Sequence, residues 1–205
     1  MKVLVFGDTH GEDDFSHLLE AAKQADLIVH IGDLTDFGFG MQESLAALAQ
    51  LGKESGKPVV LTHGNHETSM LKEHVHEYPE LTYVHQSVWM HKDIVVFGYG
   101  GGGFGSHEPA VEEFFTQAYK DHKDSGTIHI WLFHGPPHDL EIDYRPDWGP
   151  TGSITKRELI DKHKPQFVFA GHIHEAWGVI HEHENTVLVN PGPDGIVLDI
   201  EITQK

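Results

Sequence analysis

The chain has 205 residues, of which 39% are hydrophobic and 22% charged, and it contains no cysteine. That length and balance predict one globular domain over residues 1–205 with a core of its own, and they exclude disulfides, thiolate metal sites and cysteine nucleophiles. A formal net charge of −18 sets the surface against phosphate backbones and anionic lipid, so neither long nucleic acid nor membrane is an expected partner.

In chain order, Lys2 to Phe6 is a short apolar run stopped by Gly7, which predicts a buried strand. The apolar start is too short for a signal peptide, and no run reaches the length of a membrane span, so a cytoplasmic protein is expected. Phe15 to Ala25 carries apolar residues at helical spacing, Leu27 to Ile31 reads as a strand, Gln42 to Leu51 as a helix and Pro58 to Leu61 as a strand. This alternation predicts right-handed crossovers in a largely parallel sheet. Leu81 to Val84, Ser87 to Met90 and Asp93 to Phe97 then predict adjoining strands with tight turns. The glycine run of residues 98–105 follows as an internal loop, in which Gly100 to Gly103 either wrap an anion with their amides or let two strands splay apart. A helix from Pro109 to about Lys123, a strand at Ile128 to Phe133, a helix at Ile154 to His163 and a strand at Gln166 to Ala170 come next. Trp177 to His181, Thr186 to Val189 and Ile196 to Ile202 are the last strand candidates, the final one alternating as a strand with one wet face does. Two sheets packed together with helices outside accommodate both halves of this α/β chain.

Strands of the crossover type each run into metal-competent residues. Asp8 and His10 follow the first, Asp33 and Asp36 the second, and Asn65, His66 and Glu67 the third. His134 follows Ile128 to Phe133, while His172 and His174 follow Gln166 to Ala170. Singly these fragments say little, because a lone histidine after a strand is more often structural than a ligand. Together they would meet, since open α/β sheets present ligand sites at the carboxyl ends of their strands. Imidazoles, carboxylates and one asparagine carbonyl suit Mn²⁺, Fe²⁺, Zn²⁺, Co²⁺ or Ni²⁺ better than Mg²⁺ or Ca²⁺, with Mn²⁺ favoured here. The donors suffice for two ions, with an aspartate shared between them.

In this order, Asp8-x-His10, Gly32-Asp33-x-x-Asp36, Gly64-Asn65-His66-Glu67, His134 and Gly171-His172-x-His174 resemble the calcineurin-like metallophosphoesterase superfamily. The resemblance spans residues 8 to 174 and is specific for the superfamily, not for a substrate. It implies a four-layer α/β/β/α sandwich with two mixed β-sheets. It also implies that Asp8, His10 and His174 hold one ion, that Asn65, His134 and His172 hold the other, and that Asp33 bridges them. His66 would contact the phosphoryl group and protonate the leaving oxygen, oriented by Asp36, with Asn65 also touching substrate.

The implied activity is hydrolysis of a small phosphodiester or nucleotide-like ester by a metal-bridging hydroxide. A phosphomonoesterase is the alternative within the enzymes. A catalytically silent protein-binding scaffold is the alternative outside them, although scaffold members replace the histidine that His66 matches. Serine/threonine phosphatases of the superfamily carry an arginine after the aspartate that Asp36 resembles; here Phe37 stands there. Phe37, Phe39, Tyr99, Phe104 and Trp148 either line a cleft for an aryl or nucleobase group or fill gaps between loops. Arg145, His107 and His138 are candidate phosphate contacts or ordinary surface residues. An oligomer is compatible with the sequence, which specifies none.

Overall fold

The computed structural model describes residues 1–102, 104, 106–126 and 128–200. Gly103 and Gly105 of the glycine run, and Glu201 and Ile202 of the last predicted strand, lie outside the described residues.

Among the described residues, eleven strands form two sheets. The first contains β1 (Lys2–Phe6), β2 (Leu27–His30), β3 (Val59–Leu61), β4 (Leu81–Tyr83) and β11 (Ile196–Asp199), in the order β11-β1-β2-β3-β4. β1 to β4 run parallel, and β11 closes the edge antiparallel to β1. The second contains β5 (Ser87–His91), β6 (Ile94–Tyr99), β7 (Ile128–Phe133), β8 (Phe167–Phe169), β9 (Val179–His183) and β10 (Thr186–Asn190), in the order β5-β6-β7-β8-β10-β9. Its middle strands β6, β7, β8 and β10 are parallel, and both edges are antiparallel. Both sheets are therefore mixed.

The core explains why the strands read as unbroken apolar runs. Along β1, Val3 and Val5 face the second sheet and pack with Val96, Ile130 and Leu132. Leu4 and Phe6 point the other way, into a cluster with Leu45 and Leu48 of α2 (Met41–Ser55) and Ala22 of α1 (Leu19–Gln24). A third cluster joins Phe97, Trp131 and Val168 to Val111 and Phe115 of α4 (Pro109–His122) and Leu159 of α5 (Ile154–His163). Strands buried on both faces need apolar residues at every position. Three apolar interfaces separate four layers, helix, sheet, sheet and helix: an α/β/β/α sandwich.

Several boundaries differ from the sequence expectation. The helix expected at Phe15 to Ala25 opens as a 3₁₀ turn at Ser16–Leu18 before α1. Helix α3 (Leu71–Val75) has no counterpart in the expectation, because its single pair of buried residues, Leu71 and Val75, is too short a period to read. Of the three strands expected to adjoin, β5 and β6 do, as a hairpin in the second sheet, whereas β4 pairs with β3 in the first. Leu81 packs under the first sheet's helices while Val84 lies between the sheets, so the chain changes sheets after β4. Strand β9 starts two residues later than expected, since Trp177 turns toward Asp8 at the end of β1. Among the described residues, no helix is long and apolar enough to cross a membrane.

Candidate metal centre

The carboxyl ends of β1, β2 and β3 in one sheet and of β7 and β8 in the other converge. Backbone hydrogen bonds stitch the loops together before any side chain is considered. Asp8 N–H donates to Gly32 O at 3.0 Å, His10 N–H to Asp33 O at 3.0 Å, and Gly171 N–H to His134 O at 2.8 Å. Asp8, His10, Asp33 and His172 all hold positive φ, between 46° and 69°, a region uncommon for non-glycine residues, though Asp and His enter it more readily than most. Two glycines allow the closest approaches. A Cβ on Gly64 would overlap the Asp33 carboxylate, and one on Gly171 would sit 2.5 Å from Asp8 Oδ2.

All seven residues expected to be ligands lie in this cluster. Asp8, His10 and His174 form one group able to hold an ion, and Asp33, His134 and His172 form another. A third group combines His10, Asp33 and His66, so Asp33 belongs to two of the three. Asn65 Oδ1 stands 2.9 Å from His134 Nε2. Asp33 is nearly fully buried, and its Oδ2 lies 3.3 Å from His134 Nε2 and 4.0 Å from both His10 Nε2 and His66 Nε2. Its other oxygen accepts the His66 N–H at 2.9 Å.

The donor set fits divalent cations. His10 Nε2 and His174 Nε2 face each other at 3.2 Å, so one cation could lie against both rings. His134 Nδ1 lies 3.2 Å from Ile31 O; an N–H donated there would let a cation take Nε2 in place of the proton that it shares with Asp33, beside Asn65 Oδ1. Backing a ligating imidazole with a carbonyl in this way is usual for metal-binding histidines. His172 Nε2 is buried without a hydrogen-bond partner among the described residues. Burial and the charge of His134 push His172 down to about 4, so it stays neutral, as a ligand must. Burial disfavours the charged forms of both Asp33 and His134, yet their mutual hydrogen bond and attraction prevail. Asp33 is held well below the usual carboxylate range, and His134 is raised.

His66 and Asp36 also meet. His66 Nδ1 lies 3.3 Å from Asp36 Oδ1, a carboxylate 61% exposed. The Phe37 N–H points at the same Nδ1 from 3.3 Å, so a protonated Nδ1 donates to Asp36 and a bare one accepts from Phe37. Asp36 does not cap α2, whose N-cap position is Gly40.

Two supporting residues escaped the sequence reading. Trp177 donates its indole N–H to Asp8 Oδ2 at 3.3 Å, and the His172 N–H approaches the same carboxylate at 3.1 Å. Buried Glu67 accepts from Thr35 N and Oγ1, both at 2.7 Å, and from Gly64 N at 2.9 Å, tying the second ligand loop to the third. Glu67 was visible inside its block without a role; no local pattern points to Trp177.

The remaining candidates divide. Phe37 stacks on His66 with ring centroids 3.9 Å apart, and Phe104 leans on His172 at 4.7 Å. Arg145 lies 3.4 Å from Glu175 and over the rings of Phe104 and Trp148. Phe39 projects into solvent, whereas Tyr99 packs against His85 and Phe114. His107 is exposed, and His138 sits 3.8 Å from buried Asp143. The amides of Gly100 and Gly101 donate to His85 Nδ1 and His63 O, which takes both out of any anion-wrapping role.

The fold has solved counterparts. TT1561 of Thermus thermophilus superimposes with a TM-score of 0.72 at 22% identity, over 94% of this chain and 89% of that one. A Staphylococcus aureus protein provisionally assigned as a 5′-nucleotidase, solved with α-ketoglutarate, gives 0.65 at 15% identity over 98% of this chain and 51% of its own. Vps29 of Entamoeba histolytica, solved with Zn²⁺, gives 0.51 at 14% identity, over 99% and 88%. No curated protein matches the sequence. The profile of the calcineurin-like phosphoesterases matches residues 1–176, a span that contains every strand end at the centre. The chain belongs to the calcineurin-like phosphoesterase family.

Proposed function

We propose that the chain is a dinuclear-metal phosphoesterase acting on small phosphodiesters, nucleotide-like esters among them. The observation that carries this reading is the position of Asp33: one carboxylate oxygen is faced by His10, His134 and His66. Asp8, His10 and His174 would hold one ion, Asn65, His134 and His172 the other, and Asp33 would be shared by both. Mn²⁺ is the first choice, with Fe, Ni, Zn or Co as substitutes. Divalent ions so placed would lower the pKa of a water and offset charge on phosphoryl oxygens. Ligands drawn from residue 8 to residue 174 also support one domain over 1–205.

The chain's own contribution is positional and acidic. Asn65 and His66 stand where they touch a phosphoryl group lying over Asp33. His66 gives a proton from Nε2 to the leaving oxygen while its Nδ1–H stays on Asp36, which keeps the ring oriented. Diesters are favoured over monoesters because a monoester dianion brings an extra charge and little arginine is there to meet it. Phe37 follows Asp36, and Arg145 is engaged by Glu175. A surface of net charge −18 adds to the discrimination and disfavours long nucleic acid.

Metal analysis followed by hydrolysis assays tests this reading. Para-nitrophenyl phosphate, its bis-ester and its phenylphosphonate ester would be compared with Mn²⁺, Ni²⁺ and Mg²⁺. Faster turnover of the two diesters is expected. Activity on the monoester alone would reverse the substrate class, and no turnover with both sites filled would point to a binding scaffold.

A further inference from the structure

Phe37 is a bulky apolar residue that the fold holds outward beside the candidate acid. Its φ is 50°, a left-handed conformation that large side chains avoid unless their surroundings impose it. The imposing turn is closed by Phe39 N–H on Asp36 O and by Gly38 N–H on Thr35 Oγ1, each at 3.0 Å. Phe37 nevertheless contributes nothing to the core, since it is 69% exposed. One face of its ring lies against His66, at 3.9 Å between centroids and 23° between planes. The opposite face is open: among the described residues no second ring pairs with it.

We propose that Phe37 is the platform for the leaving group, selecting esters whose leaving group is a planar aromatic ring or a nucleobase. This rests on the phosphoesterase reading above. If His66 protonates the leaving oxygen, the group attached to that oxygen must sit beside His66 and therefore beside the ring stacked on it. A planar group there gains a stacking partner, while a small alkyl group gains little from the same surface. The open face of Phe37 carries no charge, so it selects by shape and polarisability, not by attracting phosphate.

The test uses two diesters that share a methyl arm and differ in the leaving group, methyl phenyl phosphate and methyl trifluoroethyl phosphate. Wild type, Phe37→Ala, Phe37→Leu and Phe37→Trp would be assayed as metal-loaded proteins, and each variant compared with wild type on each ester. Loss of stacking predicts a fall of about tenfold in kcat/KM for the phenyl ester in the Ala and Leu variants, with the trifluoroethyl ester changed less than about twofold. The Trp variant should keep the phenyl preference. Equal falls on both esters would overturn the platform, because Phe37 would then merely prop His66; so would no change on either. Calorimetry with phenylphosphonate and methylphosphonate separates this idea from the reading beneath it. If wild type hydrolyses neither ester, the diesterase reading fails. Tighter phenylphosphonate binding that Phe37→Leu abolishes would still support the platform, and equal binding of the two probes would overturn it.

Discussion

Asp33 and His66 sit side by side, and their substitution should have opposite signatures. Asp33→Asn removes the carboxylate that both proposed ligand sets would share, so metal content and turnover should fall together. His66→Ala removes an imidazole outside the two ligand sets proposed here. Metal stoichiometry should hold while kcat drops roughly 10²–10⁴-fold, the usual contribution of a positioned acid. Elemental analysis alongside kinetics separates the two, and an active His66→Ala protein with full metal would remove the acid role. Trp177→Phe is subtler. It deletes the indole N–H held on Asp8 Oδ2 and should weaken one site by about tenfold, as lost support behind a ligand does; a metal titration reads it.

The loops after the strands owe their geometry to contacts between elements. Glu67 follows His66 but serves the loop after β2 through Thr35. Glu67→Ala would strand three buried donors, at a cost of about 1–3 kcal/mol each where water cannot replace the partner. The expected result is a protein several kcal/mol less stable in urea that also binds metal poorly. Gly64→Ala places a methyl group where the Asp33 carboxylate lies, so metal affinity should fall even if the fold survives. The sandwich class was legible because β1, β2 and β7 are apolar at nearly every position. The division of short strands between sheets was not, because three-residue β4 carries no mark of its neighbour.

Acid sensitivity is a property of the whole molecule. Burial holds His30 at about 3 and His63 at about 4, both down from 6.5. Below pH 6.5 the unfolded chain takes up protons that the folded one refuses, so stability is present above that pH and is lost as pH falls toward these values. His134 has the opposite sign: its raised folded value makes its stabilisation complete below 6.5, and it adds no slope there. Each refusing histidine contributes up to about 1.4 kcal/mol per pH unit. Urea unfolding of the metal-free protein at pH 8, 6 and 5 should show the midpoint falling, and His30→Gln should flatten the fall if the variant folds. A flat profile in the unsubstituted protein would contradict the burial of both rings as neutral species.

The sequence by itself determined the alternation of strands and helices and the residues at the strand ends, because periodicity and adjacency are local and survive in one dimension. It also brought out the candidate donors, since glycine beside histidine or carboxylate after an apolar run is a local mark. Only the tertiary structure decided which sheet β4 joins, that Trp177 reaches Asp8 from 169 positions away, and that Phe37 lies flat on His66. Those depend on which surfaces pack together, and packing partners are set by the whole core, not by neighbours along the chain.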